Sequence, residues 1–150
     1  MIETKYLPED YNEELMQKQF EDSYELLCEV NEPFHVKMQK IFEKREVNAS
    51  KFVEYTGLYR QYYSKFRSAG YVPNMNTFIS VCMGLNLDLP TTESLLASLR
   101  HGFEKTNRLH CAYMFLLTHY QGLCIEECNE ILQSLGFKED KYLLGSFEKK

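Results

Sequence analysis

The amino-acid sequence predicts an all-α protein, and three observations support this fold class. Apolar residues recur every three to four positions along most of the 150 residues, which is the helical period. No segment shows the sustained apolar–polar alternation of a half-buried strand. Only 7 glycines and 4 prolines are present, so the chain lacks the turn residues that a many-stranded fold needs. The length fits one compact unit with short loops between its helices.

A proline separates the first two predicted helices. We expect residues 8–30 to form one acidic helix, because its interior contains neither proline nor glycine. Asn31-Glu32-Pro33 then ends this helix, since the residue before a proline is displaced from the α region. After the break, Phe34, Met38 and Phe42 are spaced as the buried stripe of a second helix.

The third and fourth predicted helices are short and flank a glycine. Asn48 or Ser50 can cap the third helix, which ends at Thr56-Gly57. The fourth helix starts close behind it and stops near Ala69-Gly70. Two short helices in such close succession predict a tight turn between them.

Four more helices complete the predicted fold. The fifth begins after the turn Val72-Pro73-Asn74, and the sixth opens at Leu89-Pro90-Thr91. The last two lie at about 107–120 and 125–135, and Gly136 ends the final one. We therefore expect eight helices in all.

Charge is distributed unevenly along the chain. The net charge of the whole is −5, but residues 1–32 carry two basic and ten acidic side chains, a net charge of −8. Residues 33–70 carry eight basic and three acidic side chains, a net charge of +5. A local basic segment can bind nucleic acid even in an acidic chain. The acidic segment has two interpretations: it is a solubilising helix, or it competes with DNA for the basic segment.

Residues 48–67 contain the most informative pattern, two short helices joined at Gly57. A glycine readily adopts a positive φ angle, which allows two helices to meet steeply, as in a helix-turn-helix. Four apolar side chains would hold the pair together from one side: Phe52, Leu58, Tyr63 and Phe66. In such a motif, the start and the exposed side of the second helix lie in the major groove. The residues at these positions are Tyr59, Arg60, Gln61, Ser64 and Lys65.

The residue types on that face suit DNA recognition. Arginine pairs with guanine and glutamine with adenine, while serine and lysine reach bases or phosphates. Four basic side chains are candidates for phosphate contacts: Arg45, Lys51, Lys65 and Arg67. The alternative interpretation of the same polar residues is the solvated face of a core helix.

Several short motifs together resemble one family. They are Thr56-Gly57-Leu58-Tyr59-Arg60, Tyr63-Ser64-Lys65-Phe66-Arg67, Tyr71-Val72-Pro73 with Thr77, Leu85-Asn86-Leu87, Thr92 to Leu96, Cys128-Asn129-Glu130-Ile131-Leu132 and Leu143-Leu144-Gly145. With these motifs, residues 34–145 resemble the phage lambda repressor/Cro-like (XRE-type) helix-turn-helix superfamily. More narrowly, they are similar to a group of small Firmicutes and phage proteins with a helical C-terminal extension.

The resemblance implies a division of the chain into three parts that form one compact unit. Residues 1–32 would be an acidic N-terminal helical extension, and residues 33–102 a five-helix, lambda-repressor-like helix-turn-helix domain. Residues 103–150 would be a C-terminal helical extension, with two helices, packed on that domain.

The predicted function is sequence-specific, DNA-binding transcriptional regulation, with double-stranded DNA as the partner. We expect a homodimer formed through the helices at 107–135, because one short helix reads too few base pairs for useful specificity. The alternative is a protein-interaction module, such as a phage or mobile-element accessory factor, that retains the fold without binding DNA. The acidic segment and the uncharged Asn74-Met75-Asn76 after the proline turn favour this alternative.

No pattern predicts an enzyme, a cofactor or a metal site. The four histidines have no nucleophile elbow or HExxH motif around them, and the sequence contains no P-loop. Cys124 and Cys128 lie one helical turn apart but beside apolar residues, so core thiols are favoured over zinc ligands. The five cysteines do not have the spacing of a disulfide framework. The sequence also contains no signal-peptide pattern and no long apolar run, so we expect a cytoplasmic protein.

Overall fold

The computed structural model describes residues 12–30, 32–100 and 102–146, except the side chains of 25–30. Within these residues the protein is all-helical and contains no strand, which confirms the all-α prediction. The α-helices are α1 (Glu13–Val30), α2 (Phe34–Lys44), α3 (Ala49–Thr56), α4 (Gln61–Phe66), α5 (Met75–Gly84), α6 (Leu89–Ser98), α7 (Arg108–His119) and α8 (Ile125–Ser134). A short 3₁₀ helix follows at Asp140–Tyr142. The predicted start of the first helix, at 8–11, lies outside the described residues.

The chain divides into two compact units, Met1–Glu32 and Pro33–Lys150. In the first unit, α1 has exposed apolar side chains at Leu15, Met16, Phe20 and Tyr24. The Phe20 and Tyr24 rings stack with their centroids 6.4 Å apart. Of the helices described, none combines the length and the apolar character that crossing a bilayer requires.

Capping residues fix where two helices of the second unit, α3 and α6, begin. At the start of α3, Asn48 accepts a hydrogen bond of 2.8 Å from the Lys51 N–H, so Asn48 rather than Ser50 is the cap. At the start of α6, Asp88 accepts one of 2.8 Å from the Thr91 N–H. These bonds satisfy backbone donors that the first turn of a helix leaves unpaired. Of the two caps predicted for α3, Asn48 is therefore correct, and α6 begins at Leu89 as predicted.

An aromatic cluster forms the core shared by α2, α3, α4 and α5. The Phe42 and Phe52 rings meet edge to face with centroids 5.8 Å apart. Phe34 lies 5.8 Å from Phe66 and 6.1 Å from Phe78. All five side chains are at most 5% exposed. Because aromatic pairs add to the free energy gained by burial, this cluster fixes α4 against the other three helices.

The helices α7 and α8 continue the core towards the C-terminal part of the chain. Their buried residues, with two from the segment that follows, are Ala112, Tyr113, Leu116, Leu117, Ile125, Cys128, Leu132, Leu143 and Leu144. Tyr113 also donates a hydrogen bond of 2.6 Å from its hydroxyl to the Tyr142 carbonyl. The segment after α8 is thus bound to the core by apolar and polar contacts.

The cysteines do not all behave as predicted. Cys82 and Cys128 are buried, but Cys111 and Cys124 are exposed, so the prediction that Cys124 is a core thiol is wrong. The reason is that α8 begins at Ile125, which leaves Cys124 as the cap residue outside the helix. Among the described residues, no group of three or more His, Cys, Asp or Glu side chains could hold a metal ion.

Candidate nucleic-acid interface

The helices α3 and α4 are short and are joined by a four-residue turn that begins at Gly57. Gly57 has a φ angle of 69°, in the left-handed region that glycine adopts without strain. Leu58, the next residue, is buried, and so are Phe52 of α3 and Phe66 of α4. Tyr63 is partly buried against the same core. The four apolar residues predicted to hold the pair together therefore do pack on one side.

Hydrogen bonds, in addition to Gly57, define the path of the turn. The Gly57 N–H donates to the Val53 carbonyl at 3.0 Å and closes α3. The Leu58 N–H donates to the Thr56 hydroxyl at 3.2 Å, and that hydroxyl donates to the Phe52 carbonyl at 2.7 Å. Thr56 is fully buried, and a buried N–H without a partner costs about 1–3 kcal/mol. The Thr56 hydroxyl therefore keeps the Leu58 amide satisfied inside the core.

The side chains predicted to face DNA are all exposed: Tyr59, Arg60, Gln61, Ser64 and Lys65. They lie in the turn before α4 or on the solvent side of that helix. The six residues of α4 give it a length of about 9 Å at 1.5 Å per residue. Since base pairs stack roughly 3.4 Å apart, a helix of this length reaches only a few of them.

Two basic residues, Lys65 in α4 and Arg67 directly after it, lie over tyrosine rings. The Lys65 Nζ is 4.8 Å from the centroid of Tyr62, and the Arg67 guanidinium carbon is 4.8 Å from that of Tyr63. The Tyr63 hydroxyl donates to the Val47 carbonyl at 3.2 Å, which holds this ring in place. Exposed cation–π contacts contribute only about 0.5–1 kcal/mol. Lys65 and Arg67 are therefore oriented without being buried, and a phosphate could still recruit them.

The other two predicted phosphate contacts donate hydrogen bonds within the protein. Arg45 donates from Nη1 to the carbonyl of Leu85, just after α5. Lys51 donates from Nζ to the carbonyl of Glu46 at 3.3 Å. Both side chains are exposed. Arg45 thus joins the end of α2 to the end of α5, a role that nothing in the local sequence indicated.

A shallow groove beside Arg67 contains negative charge. Its lining includes Glu43 and Glu46 from the end of α2 and the turn after it, together with Gln39 and Tyr63. Carboxylates close to a guanidinium offset part of its positive potential. The groove that Arg67 lines therefore holds two carboxylates beside one guanidinium.

Ser146 belongs to the surroundings of the turn, which the sequence did not reveal. Its N–H donates to the Gly57 carbonyl at 2.9 Å, and its hydroxyl accepts from the Tyr59 N–H at 3.2 Å. Because 87 positions separate Tyr59 from Ser146, no local pattern indicates this contact.

Comparison with known proteins does not assign this interface to a family. No family model, no curated protein and no solved structure matches the chain.

Proposed function

We propose that this protein is a sequence-specific, DNA-binding transcriptional regulator of the helix-turn-helix type. The observation that carries the proposal is the exposed set Arg60, Gln61, Ser64 and Lys65, presented by a helix pair whose other side is locked into the core. In this proposal, α2–α6 are the five helices of a lambda-repressor-like domain, and α7 and α8 are its extension. The proposal assigns the chain no catalytic activity and no cofactor.

In the proposed complex, the exposed residues divide into those that contact bases and those that contact phosphates. Arg60 and Gln61, at the start of α4, contact base edges, because guanidinium and amide groups each form paired hydrogen bonds with one base. Lys65, Arg67 and Lys51 contact phosphates, which sets the orientation of the protein on the duplex. Tyr59 lies beside the base-contacting residues and supplies apolar surface.

The protein acts as a homodimer in this proposal, since α4 alone reaches too few base pairs for useful specificity. The helices α7 and α8 carry the contact between the two copies. An exposed aromatic group supports this choice: Phe115 lies 5.0 Å from His119 and 5.4 Å from Tyr120, measured between ring centroids. Sedimentation equilibrium of wild type and Phe115→Ser tests the assignment, and a monomeric wild type contradicts it.

A second candidate function is a protein-interaction module with the same fold. Three observations favour it: α4 is short, the negative groove lies beside Arg67, and α5 begins with the uncharged Met75 and Asn76. Fewer cationic contacts to phosphate mean a smaller gain from counterion release. In this alternative, the exposed Val53 and Tyr59 belong to a protein-binding surface.

A binding selection from a random duplex library, followed by a salt series on the enriched duplex, separates the two candidates. We expect the wild type to enrich a motif and to bind less tightly as salt rises. The variant Arg60→Ala/Lys65→Ala should bind about tenfold to a hundredfold more weakly, as expected when a base contact of about 1–3 kcal/mol is removed. The slope of log K against the logarithm of the salt concentration should also be shallower. It should fall by about 0.9 for each phosphate that the variant no longer neutralises.

The matched control is Lys105→Ala/Lys138→Ala, which removes the same two positive charges at exposed positions outside α3 and α4. This control should retain wild-type affinity apart from a small general electrostatic loss. If the wild type binds no duplex even at low salt, the DNA-binding proposal is wrong and the interaction module takes its place.

A further inference from the structure

The segment from Leu143 to Ser146, which we call the strap, lies against the turn between α3 and α4. Ser146 contacts the turn at two points: its N–H donates to the Gly57 carbonyl at 2.9 Å, and its hydroxyl accepts from the Tyr59 N–H at 3.2 Å. The two contacts lie on either side of Leu58, which is buried. A single serine therefore holds the turn on both sides of Leu58.

The strap is itself held by polar side chains from two helices. Asn129 of α8 forms two hydrogen bonds with Leu144: its Oδ1 accepts from the N–H at 2.7 Å, and its Nδ2 donates to the carbonyl at 3.0 Å. The Gly145 N–H donates to the hydroxyl of Ser80 at 2.8 Å, and Ser80 is fully buried in α5. Since buried polar groups need such partners, these bonds specify where the strap lies.

Two glycines allow the strap to approach the turn closely. Gly145 has a φ angle of 83°, and a Cβ atom there would lie 3.3 Å from Cγ2 of Ile125. A Cβ atom on Gly57 would lie 3.5 Å from the Cα of Gly145. The positive φ angle and the 3.3 Å distance favour glycine at position 145, whereas at position 57 the φ angle of 69° is what favours glycine. Backbone geometry as well as hydrogen bonding therefore allows the strap to lie close to the turn.

We propose that the strap is a positioning element for the start of α4, and that Ser146 and Asn129 are its positioning residues. The inference rests on the proposed function for its consequence, since Arg60 and Gln61 follow directly after Tyr59. Tyr59 lies two residues before the first residue of α4, and its amide donates to the Ser146 hydroxyl. The strap therefore fixes the place from which α4 starts, and a base contact depends on that place.

The test compares Ser146→Ala with Ser146→Thr in the full chain. Alanine removes the hydroxyl that accepts from Tyr59 but keeps the backbone N–H that donates to Gly57. Threonine keeps a hydroxyl and should restore the wild-type behaviour. The control is Ser98→Ala, which removes a hydroxyl hydrogen bond to the Ser94 carbonyl at the end of α6. The mild change in Ser146→Ala leaves the buried Leu143 and Leu144 in place, so the variant should fold.

Hydrogen exchange measured by NMR reports, without any DNA, whether the strap protects the Tyr59 amide. In Ser146→Ala, the Tyr59 amide should exchange about tenfold faster, while core amides such as that of Leu116 should be unchanged. Ser146→Thr and Ser98→Ala should leave Tyr59 at the wild-type rate. An unchanged Tyr59 rate in Ser146→Ala overturns the proposal, whatever the protein does with DNA.

Binding to the duplex enriched by the wild type then measures the consequence. Ser146→Ala should bind it about fivefold more weakly, because a small displacement of a recognition element is costly. The salt dependence should stay unchanged, since no cation has been removed. Faster exchange at Tyr59 with unaltered duplex affinity shows that the strap stabilises the turn without positioning α4. If the wild type enriches no duplex, the proposed function fails, and faster Tyr59 exchange in Ser146→Ala still shows that the strap holds the turn before α4.

Discussion

Gly84 of α5 lies so close to Tyr55 of α3 that a Cβ atom at Gly84 would be 2.5 Å from the Tyr55 carbonyl oxygen. The same atom would lie 2.8 Å from the Tyr55 carbonyl carbon and 2.9 Å from the Cα of Thr56. All three neighbours are backbone atoms, which cannot rotate away as the end of a side chain can. The absence of a side chain at Gly84 therefore sets the distance between α3 and α5.

We expect Gly84→Ala to destabilise the protein, although alanine favours helix formation by up to about 1 kcal/mol. Forcing a methyl group into a packed contact typically costs about 1–3 kcal/mol, and here it must also shift α3. Urea unfolding should therefore give a lower midpoint with an unchanged slope. Gly102→Ala is the matched control, because a Cβ atom there has nothing within 4 Å. A Gly84→Ala protein as stable as wild type contradicts the close contact.

The pH dependence of stability should include a contribution from Asp88, the cap of α6. Hydrogen bonds from the Thr91 hydroxyl and then from the Thr91 N–H lower the pKa of Asp88 below its usual value of 3.8. A carboxyl whose pKa is lower in the folded state stabilises the fold fully above its unfolded-state pKa. That contribution is lost as the pH falls through the lower, folded-state pKa.

Unfolding of wild type and Asp88→Asn between pH 7 and pH 2.5 measures this contribution. Asparagine is also a good cap, so the two proteins should differ little at pH 7. Below about pH 4, the wild type should lose stability relative to Asp88→Asn by on the order of a few tenths of a kcal/mol, because solvent screens this exposed group. Asp88→Ala should lose about 1 kcal/mol at pH 7. A difference between wild type and Asp88→Asn that is the same at every pH contradicts the prediction.

The thiols should fall into two classes of reactivity. Cys111 and Cys124 are exposed, whereas Cys82 and Cys128 are buried. Burial raises the pKa of both Cys82 and Cys128 to about 12, so neither forms the reactive thiolate near neutral pH. In a Cys28→Ser background, a disulfide reagent at pH 8 should modify two thiols rapidly and all four only after denaturation. Adding Cys111→Ser to this background should leave one rapidly modified thiol. Three or more rapidly modified thiols in the Cys28→Ser protein contradict the packing around α5 and α8.

The local features of this fold were predictable from the sequence because the interactions that create them are local. Asn48 caps α3 through a bond to Lys51, three residues away, and Gly57 ends the same helix. Apolar spacing likewise identified Phe52 and Phe66 as core residues, since the helical period alone decides which face is buried. The exposed face of α4 followed from the same period.

The contacts that complete the candidate site were not predictable, because they join distant parts of the chain. The strap bonds to the turn through Ser146, and Arg45 donates to Leu85 across 40 positions. Cys124 was assigned to the core because its apolar neighbours suggested a helix around it. The structure begins α8 at Ile125, so Cys124 is the residue that caps the helix and stays outside it. Tertiary contacts and exact helix ends are what a single sequence leaves open.

The acidic N-terminal unit should weaken binding to DNA through its charge. Deleting residues 1–32 removes a net charge of −8, which changes the net charge from −5 to +3. Because Pro33–Lys150 is a compact unit of its own, this deletion should leave that unit folded. We expect the shortened protein to bind duplex DNA about tenfold more tightly at low salt, where electrostatic attraction is strongest. The difference should shrink as salt screens the charges.

A variant that keeps the helix but reduces its charge separates charge from chain length. Glu13, Glu14, Glu21 and Asp22 are exposed on α1, and their replacement by Gln and Asn removes four negative charges. Its affinity should lie between those of the wild type and the shortened protein, because the electrostatic penalty scales with the charge that remains. Equal affinities for all three proteins at matched low salt contradict competition by charge and leave α1 as a solubilising helix.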